Sequence, residues 1–159
     1  MPQLNEYRPC VGIVLVNKNL RVFIAKRIDS ECSAWPNSWQ FPQGGIDESE
    51  DPKAAALREL QEETGIQSVE ILDEMPNWAF YDLPIHLAKK SWQGCYKGQR
   101  QKWYLMKFLG EDTEINLAQK HAEFLAWEWA CVEEALKRVV PFKIDVYKQV
   151  IEYFSKWFQ

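Results

Sequence analysis

Apolar and polar positions change period several times along this chain, and each change marks an element. Cys10-Val11-Gly12-Ile13-Val14-Leu15-Val16 is a run rich in β-branched residues that predicts a buried strand. Asn17-Lys18-Asn19 is a turn signal, and residues 20–27 predict the returning strand of a hairpin, ending on the cations Lys26 and Arg27. Residues 29–38 are polar, small and proline-bearing, so a loop is expected there. Trp39-Gln40-Phe41-Pro42 then runs into Gln43-Gly44-Gly45.

A helix follows, with both ends marked. Asp51 is a good N-cap, Pro52 suits the first helical position, and Gly65 is a C-terminal cap. Leu57, Leu60 and Thr64 form a stripe about 100° around from Glu59, Glu62 and Glu63, and this stripe is expected to pack on a sheet. Ala55 falls on the carboxylate face, where its small side chain is expected to leave room for ions and phosphate.

Residues 67–74 and 76–83 predict two more strands, broken at Pro76. From 83 to 110 there is no acidic residue, while Lys89, Lys90, Lys97, Arg100, Lys102 and Lys107 are interleaved with Trp92, Tyr96 and Trp103. The first part of this segment is expected to be a long loop and residues 102–109 a strand. Residues 123–130 alternate as a strand does, and 132–139 predict a short helix. Pro141 opens a last helix in which Tyr147, Val150, Ile151, Phe154, Trp157 and Phe158 recur at helical spacing. Strands before, between and after two main helices imply a mixed sheet covered on both faces. No repeat or low-complexity stretch divides the chain, so one domain over residues 1–159 is expected.

Composition narrows the function. With 159 residues and 47% hydrophobic content, the chain is long enough for a real core. A net charge of -4 excludes a generally basic nucleic-acid coat but leaves room for a local basic surface. Eight Trp, six Tyr and eight Phe exceed what such a core needs, which suggests rings at a base-stacking surface. Cys10, Cys32, Cys95 and Cys131 form no CxxC pair, so a zinc finger or redox motif is not expected. A reducing compartment fits, with Cys10 and Cys131 as small core residues. No signal core precedes Pro9 and no apolar run reaches membrane-spanning length, so a soluble, cytoplasmic protein without membrane contact is expected. His86 and His121 have no partner at metal-ligand spacing and are read as structural or exposed.

The chemistry concentrates in residues 44–66. Glu59, Glu62 and Glu63, three and four positions apart, share one helical face, where like charges repel. A bound divalent cation reverses that sign, because hard cations prefer clustered carboxylate oxygens. The stretch therefore reads as a glycine loop feeding a metal-binding helix. Gly44, then Glu50 after five residues, then Arg58-Glu59-Leu60-x-Glu62-Glu63-x-Gly65-Ile66 after seven more, reproduce the Nudix box at all nine of its fixed positions. The stretch thus resembles the Nudix hydrolases. More loosely, Tyr7-Arg8-Pro9, Trp39 to Gly45, Gly98-Gln99-Arg100-Gln101-Lys102-Trp103, Glu123-Phe124 and Phe142-Lys143-x-Asp145-Val146-Tyr147 resemble the bacterial RNA pyrophosphohydrolases. Those are close kin of dinucleoside polyphosphate (Ap4A) hydrolases.

The resemblance implies an α/β fold, the Nudix fold, in which an α/β/α sandwich is built around a mixed β-sheet. It implies hydrolysis of a nucleoside diphosphate linked to another moiety, with Mg²⁺ as the metal, Mn²⁺ or Zn²⁺ being the alternatives, and two or more ions in the substrate complex. The implied metal ligands are the Gly44 carbonyl, Glu59, Glu62, Glu63 and, from a loop before a late strand, Glu123. Arg58 is implied to orient a carboxylate, and Glu50 to position Arg58 or the loop. The general base stays open among Glu59, Glu63 and Glu123. Arg8, Arg27 and Lys143 are implied for the triphosphate, Lys102 and Gln99 for the first phosphates or bases, and Phe142 for base stacking. Gln43 and Tyr81 are further substrate candidates, and Trp35, in the polar loop, is a candidate either to reach the substrate mouth or to cover the core. The implied substrate is 5′-triphosphorylated RNA, with dinucleoside polyphosphates such as Ap4A as a second. A dinucleoside polyphosphate hydrolase or a sanitiser of modified dNTPs as the main role, and a non-catalytic nucleotide-sensing module, are the alternatives.

Overall fold

The computed structural model describes residues 4–28, 38–120 and 122–159, apart from the side chain of Trp92. Cys32, Trp35, His121 and nearly all of the expected 29–38 loop lie outside the described residues. At the centre, β1 (Tyr7–Val16) and β6 (Gly98–Phe108) run parallel, in register from Tyr7 opposite Gly98 to Val16 opposite Lys107. β2 (Val22–Arg27) turns back antiparallel from the end of β1, and β7 (Phe124–Ala130) pairs antiparallel with β2. On the other side, β4 (Val69–Glu74) and β5 (Ala79–Asp82) take the two ends of β6, both antiparallel. β3 (Gln43–Gly45) pairs with Cys10, Val11 and Gly12. The result is one mixed seven-stranded sheet in the order β4-β6-β1-β2-β7, with β3 and β5 beside the first halves of β1 and β6. β1 therefore changes partner along its length, from β3 to β2.

Strand alternation sends the two halves of the β1 pattern to opposite faces. Val11, Ile13 and Leu15 pack with Tyr104, Met106 and the helix α1 (Pro52–Thr64). Val14 and Val16 pack with Trp103, Leu105 and the helices α3 (Val132–Arg138) and α4 (Ile144–Tyr153). Helices thus cover both faces, as the mixed-sheet reading expected. Among the described residues no helix is long and apolar enough to cross a membrane.

Much of the aromatic surplus goes into this second layer. The Phe41 ring stacks on Tyr147 at 4.6 Å, and the Trp103 indole meets both edge-on at 6.0 and 5.6 Å. The Tyr147 hydroxyl accepts the Phe41 backbone N–H at 3.0 Å, so its buried polar tip is satisfied.

Several local expectations change. The part of 83–97 expected to be loop contains α2 (Ile85–Lys90), started after Pro84 and ended by Lys89 and Lys90, which complement the helix dipole. β6 starts at Gly98, four residues earlier than the sequence pattern suggests, because Gln99 and Gln101 are buried despite being polar. Pro141 opens a short 3-10 turn, Pro141–Lys143, before α4 begins. Cys10 is buried as expected, Cys131 is only half-buried, and Cys95 is exposed.

Gly12 is required by the indole. A Cβ there would lie 2.6 Å from three atoms of the fully buried Trp103 ring. Gly12→Ala should therefore destabilise the fold by about 1–3 kcal/mol. An unchanged urea midpoint would show that the ring has room to move.

Candidate active site

β3 leads into a short loop and then α1. Asp51 caps the helix by accepting the Ala54 N–H at 3.2 Å, and Gly65 ends it in the left-handed region at φ 76°. The buried residues of the helix are Ala55, Ala56, Leu60, Glu63 and Thr64, while Leu57 is 40% exposed. The stripe that meets the sheet is thus centred on Ala56, Leu60 and Glu63, and the expected role of Leu57 is corrected. Ala55 belongs to the apolar layer and does not border open space, so its expected role is corrected too. One carboxylate of the box, Glu63, is aimed into the protein body.

Arg58 organises the rest. Its Nε and Nη2 donate to the two Glu50 oxygens at 2.8 Å each, and Nη2 also donates to the Gly45 carbonyl at 3.0 Å. Nη1 donates to Glu59 at 3.0 Å and Glu62 at 3.1 Å. Glu50 in turn accepts the Asp47 N–H at 2.9 Å. The Arg58 hydrogen bonds hold the Glu50 carboxyl down to about 2. The guanidinium therefore ties strand, loop and helix together, with every donor engaged.

Glu59 lies against Gly44, where any Cβ would collide with its carboxyl. Burial pushes the Glu59 carboxyl above the ordinary range, against the pull of Arg58. Glu63 is 2% exposed, and neither of its oxygens has a hydrogen-bond partner among the described residues. Burial first, then the neighbouring charges of Glu123 and Glu59, raise its carboxyl well above the usual range. Glu123 precedes β7 beside a register shift at Lys26/Arg27 in the β2–β7 ladder. The Arg27 guanidinium stands 3.9 Å from it.

Among the described residues no three acidic, histidine or cysteine side chains are already gathered around one cation position. Glu59 and Glu62 are turned to Arg58 instead. The donor set nonetheless fits a hard divalent cation: a buried carboxylate without a donor, two neighbouring carboxylates, and a backbone kept bare by glycine.

The opposite face of the sheet carries a buried polar layer. Gln101, fully buried, donates from Nε2 to Gln43 at 3.1 Å and to Gln99 at 3.0 Å, and accepts from the Trp103 indole at 3.2 Å. Lys143 is 7% exposed, with its ammonium 3.4 Å from the Gln40 oxygen and 6.0 Å from the Tyr81 ring centre. Phe142 lies beside Tyr81, with ring centres 5.8 Å apart. Arg8 approaches the Cys10 sulfur at 3.9 Å and lies along Gly45, where a Cβ would collide with it. Burial pushes the Cys10 thiol up to about 11, so it stays neutral at ordinary pH.

The NUDIX domain model matches residues 6–150. This chain belongs to the Nudix family. The RNA pyrophosphohydrolase of Dinoroseobacter shibae is 52% identical over 153 residues, covering 95% of this chain and 93% of that protein. Two solved structures show the same fold at lower identity. The E. coli dihydroneopterin triphosphate pyrophosphohydrolase has a TM-score of 0.70 at 20% identity, covering 90% of this chain and 95% of its own. A C. elegans Ap4A hydrolase binary complex has a TM-score of 0.65 at 22% identity, covering 92% and 98%.

Around the Nudix helix, the structure brings together Gly44, Arg58, Glu59, Glu62, Glu63, Glu123 and Arg27. On the other face it gathers Arg8, Gln43, Tyr81, Gln99, Phe142 and Lys143. Lys102 is separated from that second group. It alternates to the α1 face of β6 and is held by the Pro76 carbonyl at 2.8 Å and Glu74 at 3.2 Å. His86 is exposed, as expected. Gln40 and Gln101 were not singled out from the sequence as site residues. For Gln101 the signal is a polar side chain recurring at strand spacing after Gln99.

Glu63 sets a trade between stability and metal binding. Its folded pKa lies above the unfolded value, so in metal-free protein stability declines as pH rises from about 4.3 through that raised pKa. Near pH 7, Glu63→Gln should therefore stabilise the metal-free protein by about 1–3 kcal/mol. Mg²⁺ should raise the Tm of the native protein and leave that of the variant nearly unmoved. Equal Mg²⁺ shifts in the two melts would remove Glu63 from the metal site.

Proposed function

We propose that this protein is a metal-dependent RNA pyrophosphohydrolase. It removes pyrophosphate from 5′-triphosphorylated RNA and leaves a 5′-monophosphate. The observation that carries this reading is the likeness to the Dinoroseobacter shibae RNA pyrophosphohydrolase, 52% identical and covering 95% of this chain. One domain over residues 1–159 and a cytoplasmic location belong to the same proposal.

The reaction adds water across a P–O–P anhydride: one product takes the hydroxyl, the other the leaving oxygen. Glu59, Glu62, Glu63, Glu123 and the Gly44 carbonyl would hold the divalent cations, Mg²⁺ or alternatively Mn²⁺ or Zn²⁺. When bound, two or more such ions supply charge neutralisation for the polyphosphate and a water of lowered pKa. Arg58 keeps Glu59 and Glu62 in place against their mutual repulsion. It is a positioning residue, since its donors are all engaged within the protein. Glu50 in turn holds Arg58. The proton released by the attacking water passes to one of Glu59, Glu63 and Glu123.

Arg8, Arg27 and Lys143 supply positive charge for the triphosphate, and the Phe142 ring offers a face for the first base. Gln43, Tyr81 and Gln99 supply hydrogen bonds to the nucleotide. Lys102, already paired with Glu74, acts at a distance through its charge. Dinucleoside polyphosphates such as Ap4A are a second substrate class, because they present the same polyphosphate on a 5′ nucleoside. The non-catalytic reading is disfavoured because every box carboxylate is present.

Glu62→Gln or Glu63→Gln should abolish pyrophosphate release while the protein still folds. Undiminished turnover in either variant would falsify the metal-site assignment. Turnover of triphosphorylated RNA, Ap4A and oxidised dGTP, measured side by side with each product identified, should rank the RNA first. A clear lead for oxidised dGTP would replace this reading with a nucleotide-pool sanitiser.

A further inference from the structure

Gln99, Gln101 and Trp103 alternate along β6, so their side chains share the face covered by α4. They form a hydrogen-bonded chain whose polarity is set by one group. An indole N–H can only donate. The Gln101 atom 3.2 Å from the Trp103 indole nitrogen must therefore be its carbonyl oxygen. The Gln101 NH₂ is then committed to its two other neighbours, Gln43 at 3.1 Å and Gln99 at 3.0 Å. Both of those must turn their oxygens inward to receive it. What Gln99 has left to offer beyond the chain is its own pair of N–H donors.

Reversing the order is costly. Turning Gln101 over would set its NH₂ against the indole N–H and its oxygen against the oxygens of Gln43 and Gln99. Gln101 is fully exposure-free and Gln43 and Gln99 are 8% and 5% exposed, so water is poorly placed to relieve the mismatch. The indole itself is pinned by Phe41, Tyr147 and the bare Gly12 backbone. Nearby, Arg8 and Lys143 favour an anionic ligand on the same face.

We propose that Trp103 and Gln101 are positioning residues that lock the Gln99 amide with its donors toward the substrate, so that the site selects a phosphate oxygen at that point. This rests on the reading of the polar face as the substrate site. Gln99 becomes a donor of fixed orientation, and neither Gln101 nor Trp103 touches the substrate.

The test is a mutant cycle on the full chain with 5′-triphosphorylated RNA, each variant first checked by thermal melting. Gln99→Met should raise KM and leave kcat nearly unchanged. Gln99→Glu keeps an oxygen for Gln101 but offers only acceptors outward, and should raise KM a further ~10-fold or more. Gln101→Met should raise KM in the native background but add nothing in a Gln99→Met background. Trp103→Phe, which keeps a ring and deletes the N–H, should behave as Gln101→Met does, and stands in for it if that variant does not fold. Gln99→Glu tolerated as well as Gln99→Met, or a Gln101→Met effect that persists in full without Gln99, overturns the proposal. If the native protein itself releases no pyrophosphate from this RNA, the functional reading falls, and the same cycle on Ap4A still decides the relay.

Discussion

Arg58 commits all its N–H donors to five acceptors drawn from β3, the following loop and its own helix, and the architecture of the site depends on that commitment. Three glutamates within five residues of one helix repel each other and would favour unwinding it. The guanidinium offsets this by bonding two of them, and by drawing Glu50 close enough to hold its carboxyl down to about 2. The third, Glu63, is beyond its reach and points inward. The sheet face that receives α1 thus closes over an uncompensated carboxylate, and Leu60 and Ala56, about one and two turns before it on the same stripe, supply the apolar contact that keeps the helix seated.

The sheet explains why catalytic and binding groups can be separate yet close. Because β1 pairs first with β3 and then with β2, the loop after β3 can leave the sheet and start α1 directly beside the central strands. Strand alternation then gives each face its own chemistry. Carboxylates gather around α1, while amides, cations and rings gather beneath α4 and the Pro141–Lys143 turn. Lys102 shows how strict the division is, since one step along β6 moves a cation from one group to the other. The aromatic surplus follows the same logic: Trp103, Tyr147 and Phe41 are a buried wall behind the polar layer, and Phe142 and Tyr81 are its front.

The chemistry of the Nudix box was legible in the sequence because it is local. Caps, carboxylate spacing and the glycines all act within one helix and its entry loop, where a fixed rise and angle per residue convert spacing into geometry. The same reason made most strands legible. The sequence also determined which groups could act, since no other predicted helix carries three glutamates on one face after a glycine loop. Tertiary structure decided the rest. Helical spacing alone does not say which side of α1 meets the sheet, and the burial of Glu63 in place of Leu57 depends on where β3 delivers the helix. Glu123 comes near Glu63 only through a shifted β2–β7 ladder. The inward-facing amides Gln40 and Gln101 break the hydrophobic pattern, and their partners lie 103 and 58 residues away in the cases of Lys143 and Gln43. Interactions that depend on distant segments meeting carry no local signature, so they emerge only once the chain has closed on itself.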